Sequence, residues 1–397
     1  MKSELARTTL YVAAALALVI AAAWVEPESY RPEIFSDQGE AFFPQFRDVL
    51  AVKAIEVMDY NEAEAVARPL KIEFRKGRYV LASHDGYPAE ARDRLAKTAA
   101  ALLDLKRDVV VSDRFEEHGK YGVIDPLDPK NPSLTGRGKR VTLRNAQGEV
   151  LADLVFGQPV KERAGFRYAR LPGRKRTYAV KTDADPSARF EDWVEADLLK
   201  IATADVRRLT LNIYSIDEAA GRLSNMRRIV VSRGEKDDWK TEPAAGLSRA
   251  EIQGMLAALD QLRVVAARPK PPTLAAQLKA RQLQMTLDAV MSLRQRGFFL
   301  TPDGRLLANE GELIVETNLG LLYNLRFGEI VTGAAEAVAA KPAARASSSE
   351  NRYLFVTVSA RQGADAAEDL ARTLDARFAD WYYVISGTDF ARLRVKK

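Results

Sequence analysis

His84 and His118 are the only imidazoles in this chain of 397 residues, and it has no cysteine. The lack of cysteine excludes disulfides, thiolate metal sites, a cysteine nucleophile and a lipidated N-terminal Cys. Both histidines stand in polar turn contexts and read as surface residues. Two histidines without a carboxylate cluster do not make a zinc site of ordinary spacing. "DPLDPKN" spaces Asp125, Asp128 and Asn131 in a way that superficially suits calcium. It lacks the EF-hand spacing, the central glycine and the closing glutamate, and its prolines make a rigid turn. "GRGK" at 136–139 resembles the end of a phosphate-binding loop. The leading glycine is missing, and Arg140 stands where that motif needs Ser or Thr. Asn131-Pro132-Ser133 fails as a glycosylation acceptor because its middle residue is proline. No G-x-S-x-G elbow is present. Glu116-Glu117, Glu191-Asp192 and Asp237-Asp238 read as solvated surface, with no member marked as a general acid. No catalytic, cofactor-binding or metal-ligating residue is assigned, and no cofactor is expected. What remains is an aromatic set on strands and near their ends: Tyr168, Tyr178, Tyr323, Tyr353, Trp381, Tyr382 and Tyr383. Most of it reads as core and sheet filler. Trp381, Tyr382 and Tyr383 are the expected contact with a partner or a sugar.

The elements around these residues repeat. "ARFEDWV" at 188–194 returns as "ARFADWY" at 376–382. "VKAIEV" at 52–57 and "VRRLTL" at 206–211 both alternate as short strands. A strand turning at Gly77 towards Tyr79 is matched by one turning at Gly234 towards Trp239. A helix follows in each half. The first carries Leu95, Ala99, Leu102 and Leu105 near one face. The second carries Ile252, Met255, Leu256, Leu259 and Leu262 as a stripe, with Ser248 and Glu251 at capping-box spacing. "YGVIDP" parallels "GFFLTP". Two hairpins then turn at Ala146-Gln147-Gly148 and Asn318-Leu319-Gly320, and both end in Phe-Gly, at Phe156-Gly157 and Phe327-Gly328. Each half goes on to Arg-Tyr and closes on the echo. There Arg189 and Asp192, like Arg377 and Asp380, have the spacing of a pair on one helical turn, and Phe190 with Trp193 and Phe378 with Trp381 seal the module. The expected fold class is α+β. Two tandem homologous modules at 29–203 and 204–397 would each hold a mainly antiparallel sheet with one or two helices. The second would carry a helical insertion at 273–296 and a mobile loop at 333–350.

Residues 1–28 read as a membrane anchor or a signal peptide. Lys2 and Arg7 precede an uncharged run from Thr8 to Val25, with Tyr11 and Trp24 near its ends. As a helix this run spans roughly 27 Å, just under the hydrocarbon thickness. The basic residues keep the N-terminus on the cytoplasmic side of the membrane and send the body outward. The net charge is +6, from 60 basic residues interleaved with 54 acidic ones. That is a mixed solvated surface, with neither the stripe nor the tail of a nucleic-acid binder.

The order "KYGVIDP", "VFG…RYARL…TYAV", "ARFEDWV", "RGFFLTPDGRLLANEGELIVETNLGLLYNLRFGEIV" and "RFADWYYVISGTDF" resembles the DUF4340 family, a domain of unknown function. The resemblance covers most of the chain beyond the anchor, most specifically from Gly297 to Val331. It implies a bacterial protein with one N-terminal membrane helix and an extracytoplasmic body, encoded beside an ABC transporter of the gliding-motility type and its auxiliary membrane subunit. The expectation is a non-enzymatic accessory subunit of that exporter, with the transporter's permease and auxiliary subunits as partners. A cell-envelope glycan or polysaccharide binder is the alternative that the aromatic set supports. An envelope hydrolase has only the abundance of acids behind it.

Overall fold

The computed structural model describes Thr8 and residues 11–19, 37–195, 197–217, 222–234, 238–244, 247–284, 286–331 and 350–394. Within it the chain builds two large antiparallel sheets with several helices, an α+β arrangement. The first sheet takes β1 (Ala54–Asn61), β2 (Val66–Arg75), β3 (Arg78–Leu81), β4 (Tyr87–Pro88), β5 (Val109–Ser112), β6 (Lys139–Arg144), β7 (Val150–Pro159), β8 (Phe166–Arg170) and β9 (Thr177–Lys181). Its order is β4-β3-β2-β1-β6-β7-β8-β9-β5. The second takes β10 (Val206–Asp217), β11 (Arg222–Arg233), β12 (Trp239–Glu242), β13 (Ala266–Pro269), β16 (Glu312–Thr317), β17 (Leu321–Ile330), β18 (Arg352–Ala360) and β19 (Trp381–Ile385). Its order is β12-β11-β10-β16-β17-β18-β19-β13. A small ribbon pairs β14 (Phe298–Leu300) with β15 (Leu306–Ala308).

Eight strands of the first sheet match the second in order, β4 being extra, and the registers of the matching pairs agree. Ile55 faces Leu143 as Leu209 faces Val315. Phe156 faces Ala169 as Phe327 faces Leu354. Tyr178 faces Val110 as Tyr383 faces Ala267. One hydrophobic cluster fills the inner faces of both sheets, together with the helices Arg92–Leu103, Arg249–Asp260 and Glu368–Phe378. Arg92–Leu103 buries Leu95, Ala99 and Leu102 at helical spacing. Arg249–Asp260 starts at a reciprocal capping box between Ser248 and Glu251. Between the units, Leu198 N donates to the Leu262 carbonyl at 3.0 Å; within the first, Glu90 N donates to the Trp193 carbonyl at 2.8 Å.

The two copies of the echo do not fall at equivalent places. "ARFEDWV" follows β9 as a 3-10 turn over Phe190–Asp192, whereas "ARFADWY" ends the helix Glu368–Phe378 and enters β19. Matching strands pair Tyr178 with Tyr383, a separation of 383 − 178 = 205, while the echo recurs after 376 − 188 = 188. The first copy makes the expected pair, with Arg189 Nη2 2.8 Å from Asp192. In the second, Lys279 takes Asp380 at 2.6 Å, across from another helix. The second unit also holds more helices than two: Arg249–Asp260, Pro272–Lys279, Leu287–Arg294, Glu368–Phe378 and Gly387–Leu393. Pro272–Lys279 and Leu287–Arg294 occupy the expected helical insertion. Residues 333–349 of the expected loop lie outside the described residues.

At the N-terminus, residues 11–19 are helical and exposed, and most of the expected anchor over 1–28 lies outside the described residues. Among the described residues no helix is long and apolar enough to cross a membrane.

The repeated Phe-Gly has a packing cause. The segment joining β5 to β6 and the one joining β13 to β16 each cross the outer face of their sheet as a strap. A Cβ on Gly157 would collide with the Tyr121 carbonyl, and one on Gly328 with the Arg296 carbonyl. Gly157→Ala and Gly328→Ala are each expected to lower stability by roughly 1–3 kcal/mol, as overpacking does. Gly254→Ala, inside the helix Arg249–Asp260 with open space around it, is expected to raise stability by about 0.5–1 kcal/mol. Urea midpoints of the full chain check both, and equal effects at the three positions would refute the strap contact.

Candidate functional site

The three aromatic residues expected at a contact surface are largely interior. Tyr382 and Tyr383 are 0% and 2% exposed, and Trp381 is half-buried. β19 is covered on both faces: Tyr383 and Ile385 enter the shared inner core, while Tyr382 and Val384 enter a second cluster under the strap. A strand buried on both sides carries apolar residues continuously, as Trp-Tyr-Tyr-Val-Ile does. Trp381 meets Tyr87 edge to face at 4.9 Å, joining the two units. Tyr178, Tyr323 and Tyr353 are also buried. The structure therefore corrects the open aromatic contact to a packing element.

Under the strap of the second unit lies Lys270, flanked by Pro269 and Pro271 and 4% exposed. Its Nζ donates to the Phe378 carbonyl at 2.9 Å and the Trp381 carbonyl at 2.6 Å. It stands 4.1 Å from the centre of the Phe355 ring and 5.2 Å from that of Tyr382. Lys270 thus supplies donors to carbonyls at the end of the helix Glu368–Phe378, which no intrahelical partner satisfies. Burial pushes its pKa down to about 7, against the pull of Asp380 and Asp375. On the other side, Arg296 lies 4.6 Å from the Tyr382 ring, and the Tyr382 hydroxyl meets Ser292 Oγ at 2.9 Å. Burial pushes the Tyr382 phenol up to about 12, so it stays protonated. Arg326 of β17 fastens the ribbon above it, donating to the Leu306 carbonyl at 2.8 Å with Glu312 at 3.3 Å.

The strap of the first unit is held by the same means. Arg137 donates to the carbonyls of Asp125 (3.0 Å), Pro126 (3.2 Å), Asp128 (3.3 Å), Asn131 (2.6 Å) and Ser133 (2.9 Å). Its guanidinium also stacks 4.9 Å from the Tyr60 ring. In "DPLDPKN" the side chains of Asp125, Asp128 and Asn131 each accept from the backbone N–H two residues on (2.9, 2.9 and 3.0 Å), while the loop's carbonyls converge on the chain's own arginine. Arg140 ties the strap's Asp125 at 3.1 Å and the neighbouring strand's Asp153 at 2.6 Å. Arg170, buried at the end of β8, donates to the carbonyls of Val123 (2.9 Å) and Arg174 (2.8 Å). His118 is buried rather than at the surface, and its Nε2 donates to the Lys175 carbonyl at 2.7 Å. Burial holds His118 below its ordinary pKa, and the same cause lowers half-buried His84 beside Phe190.

The straps carry exposed apolar groups beside exposed charges such as Lys120, Lys130, Asp288 and Arg294. Phe115, Leu127 and Leu134 on the first, and Leu287 and Met291 on the second, are each at least half exposed. Leu287 and Met291 stand one turn apart on the helix Leu287–Arg294. Reading the sequence missed this surface and the buried cations beneath it. The available signal was a lysine between prolines, an arginine closing a carbonyl-rich turn, and apolar residues in segments with no strand or helix partner.

A family described as a domain of unknown function, DUF4340, matches residues 80–284. The match begins in β3, crosses from the first sheet into the second and stops before Gly297, so the stretch that most resembled the family in sequence lies outside it. No curated protein and no solved structure matches the chain.

Two outcomes are expected. In the unfolded chain a lysine titrates near 10.4. Between about pH 7 and 10 the unfolded chain therefore binds a proton at Lys270 that the folded chain does not, and stability rises with pH. Lys270→Met should lose that rise, whose slope approaches about 1.4 kcal/mol per pH unit. An unchanged rise in the variant would count against it. Arg137→Met should speed amide exchange across residues 126–136 while leaving the helix Arg249–Asp260 protected.

Proposed function

The chain belongs to the DUF4340 family, and from that premise we propose that it is a non-enzymatic accessory subunit of an ABC-type export system. It is anchored in the cytoplasmic membrane by its N-terminal apolar run, with the body on the extracytoplasmic side. It works through protein–protein or protein–polymer contacts. The body is a duplication of one module, a reading supported by the shared strand order and register of the two sheets. The observation that carries the contact reading is the exposed apolar surface on both straps, above buried charges that serve the fold. Phe and Met are enriched at interface cores, and exposed apolar groups that gather in a patch mark interaction sites.

A second reading, binding of envelope polysaccharide, now rests on another aromatic pair. Phe74 is 42% exposed and meets Tyr79 edge to face at 5.1 Å, with Lys53 Nζ 5.6 Å from its ring.

Affinity purification of the tagged full chain from cross-linked native membranes should recover permease and ATPase subunits. The pair Leu287→Glu and Met291→Glu should cut that recovery at least tenfold with folding unchanged. A wild-type eluate without transporter subunits would sink the accessory reading. Recovery of glycan that is lost on Phe74→Ala would favour the second.

A further inference from the structure

Beside the first strap, whose Asp113 lines it, a cleft of ≈ 370 Å³ opens at the turn between β8 and β9. That turn is Leu171-Pro172-Gly173-Arg174-Lys175-Arg176, three consecutive cations on a tight bend. Its backbone is held from below. Arg170 donates to the carbonyls of Leu171 (3.2 Å) and Arg174 (2.8 Å), and His118 donates to that of Lys175 (2.7 Å). Arg107 adds a fourth cation from a segment some seventy residues away in sequence. Against these stand Asp37 and Asp113 in the cleft and Glu40 at its edge.

The carboxylates do not saturate the cations. Asp113 takes Lys175 at 3.0 Å and Arg176 at 3.4 Å, and Asp37 takes Arg176 at 2.9 Å and the Tyr178 hydroxyl at 2.5 Å. Arg107 reaches Asp37 only at 3.5 Å and Glu40 at 3.3 Å, and its buried Nε has no partner among the described residues. The exposed Arg174 guanidinium likewise has no hydrogen-bond or ion-pair partner among them. Four cations against three carboxylates leave one positive charge in excess, held on a prearranged turn. The volume falls within the range of small-molecule sites, roughly 300–1,000 Å³. Forked guanidinium donors match the paired oxygens of a phosphoryl group.

We propose that this cleft binds a phosphodiester monoanion, with Arg174 and Arg107 taking the phosphoryl oxygens. The diester comes either from a soluble ester or from the headgroup of an anionic lipid. Asp37 follows the apolar run by only residues 26–36, which reach at most roughly 40 Å. The lipid source rests on the anchored reading above; the cleft itself does not.

The test is calorimetric titration of the detergent-solubilised full chain at low salt. The probes are glycerophosphoglycerol, dihexanoyl-phosphatidylglycerol below its micelle concentration, and glycerol as the neutral control. Wild type should bind at least one diester and not glycerol. Arg174→Ala with Lys175→Ala, both exposed, should weaken binding at least tenfold with an unchanged melting temperature. Arg174→Gln alone should weaken it less. Equal affinity for the two diesters assigns the site to the soluble headgroup, and tighter binding of the acylated one assigns it to the lipid. No binding of either at millimolar concentration, or binding that the double variant leaves unchanged, overturns the proposal. Neither result touches recovery of the transporter, so the two readings fail separately.

Discussion

Each sheet carries apolar side chains on both faces where its later strands run, so its outer face must be covered before the unit is stable. β8 and β9, like β18 and β19, send alternate residues into the shared core and out under a strap. A strap has little regular structure, and its backbone polar groups need partners once it lies against a sheet. Buried cations supply them. Arg137, Arg170, Lys270 and Arg326 each donate to main-chain carbonyls of a strap or of an adjoining turn. Removing one such donor leaves desolvated carbonyls behind, which costs more than the bond itself contributed.

This division of labour separates the interior from the surface. The groups that look chemically active in sequence, the Asp125–Asn131 turn and the two histidines, are drawn into packing. The aromatic triplet of β19 is drawn in with them. The accessible features are an apolar surface on the straps and a basic cleft at the β8–β9 turn. The first suits a partner whose recognition needs no chemistry on this chain. The second has an excess of charge that the fold leaves uncompensated.

The parts of the chain around the two sheets differ outside the shared strand order. Eight strand positions match in order and register, yet the second strap holds two helices where the first holds a 3-10 turn at Phe115–Glu117 and a single helical turn at His118–Tyr121. The second unit also interposes a helix between β18 and β19 where the first has a six-residue turn. That turn presents Arg174 and Lys175, so the basic cleft belongs to one unit only. Its counterpart is filled by the helix that Lys270 caps.

The sequence by itself determined the α+β class, the doubled strand pattern, the capping box at Ser248 and the stripes of the two core helices. These are local signals, set by side-chain period and by hydrogen bonds between residues three or four apart. It also showed Phe-Gly twice, without the reason. Only the tertiary structure decided where "ARFADWY" falls, because nearly the same six residues end a helix in one place and form a 3-10 turn after a strand in another. Only it decided that Tyr382 and Tyr383 are interior, since burial of the strand's second face, at Tyr382, depends on a strap more than seventy residues away. It likewise decided that the cation of the calcium-like turn is Arg137 and that Arg107 joins Arg174. Convergence of that kind depends on distances between segments far apart in the chain, and residue spacing carries no record of them.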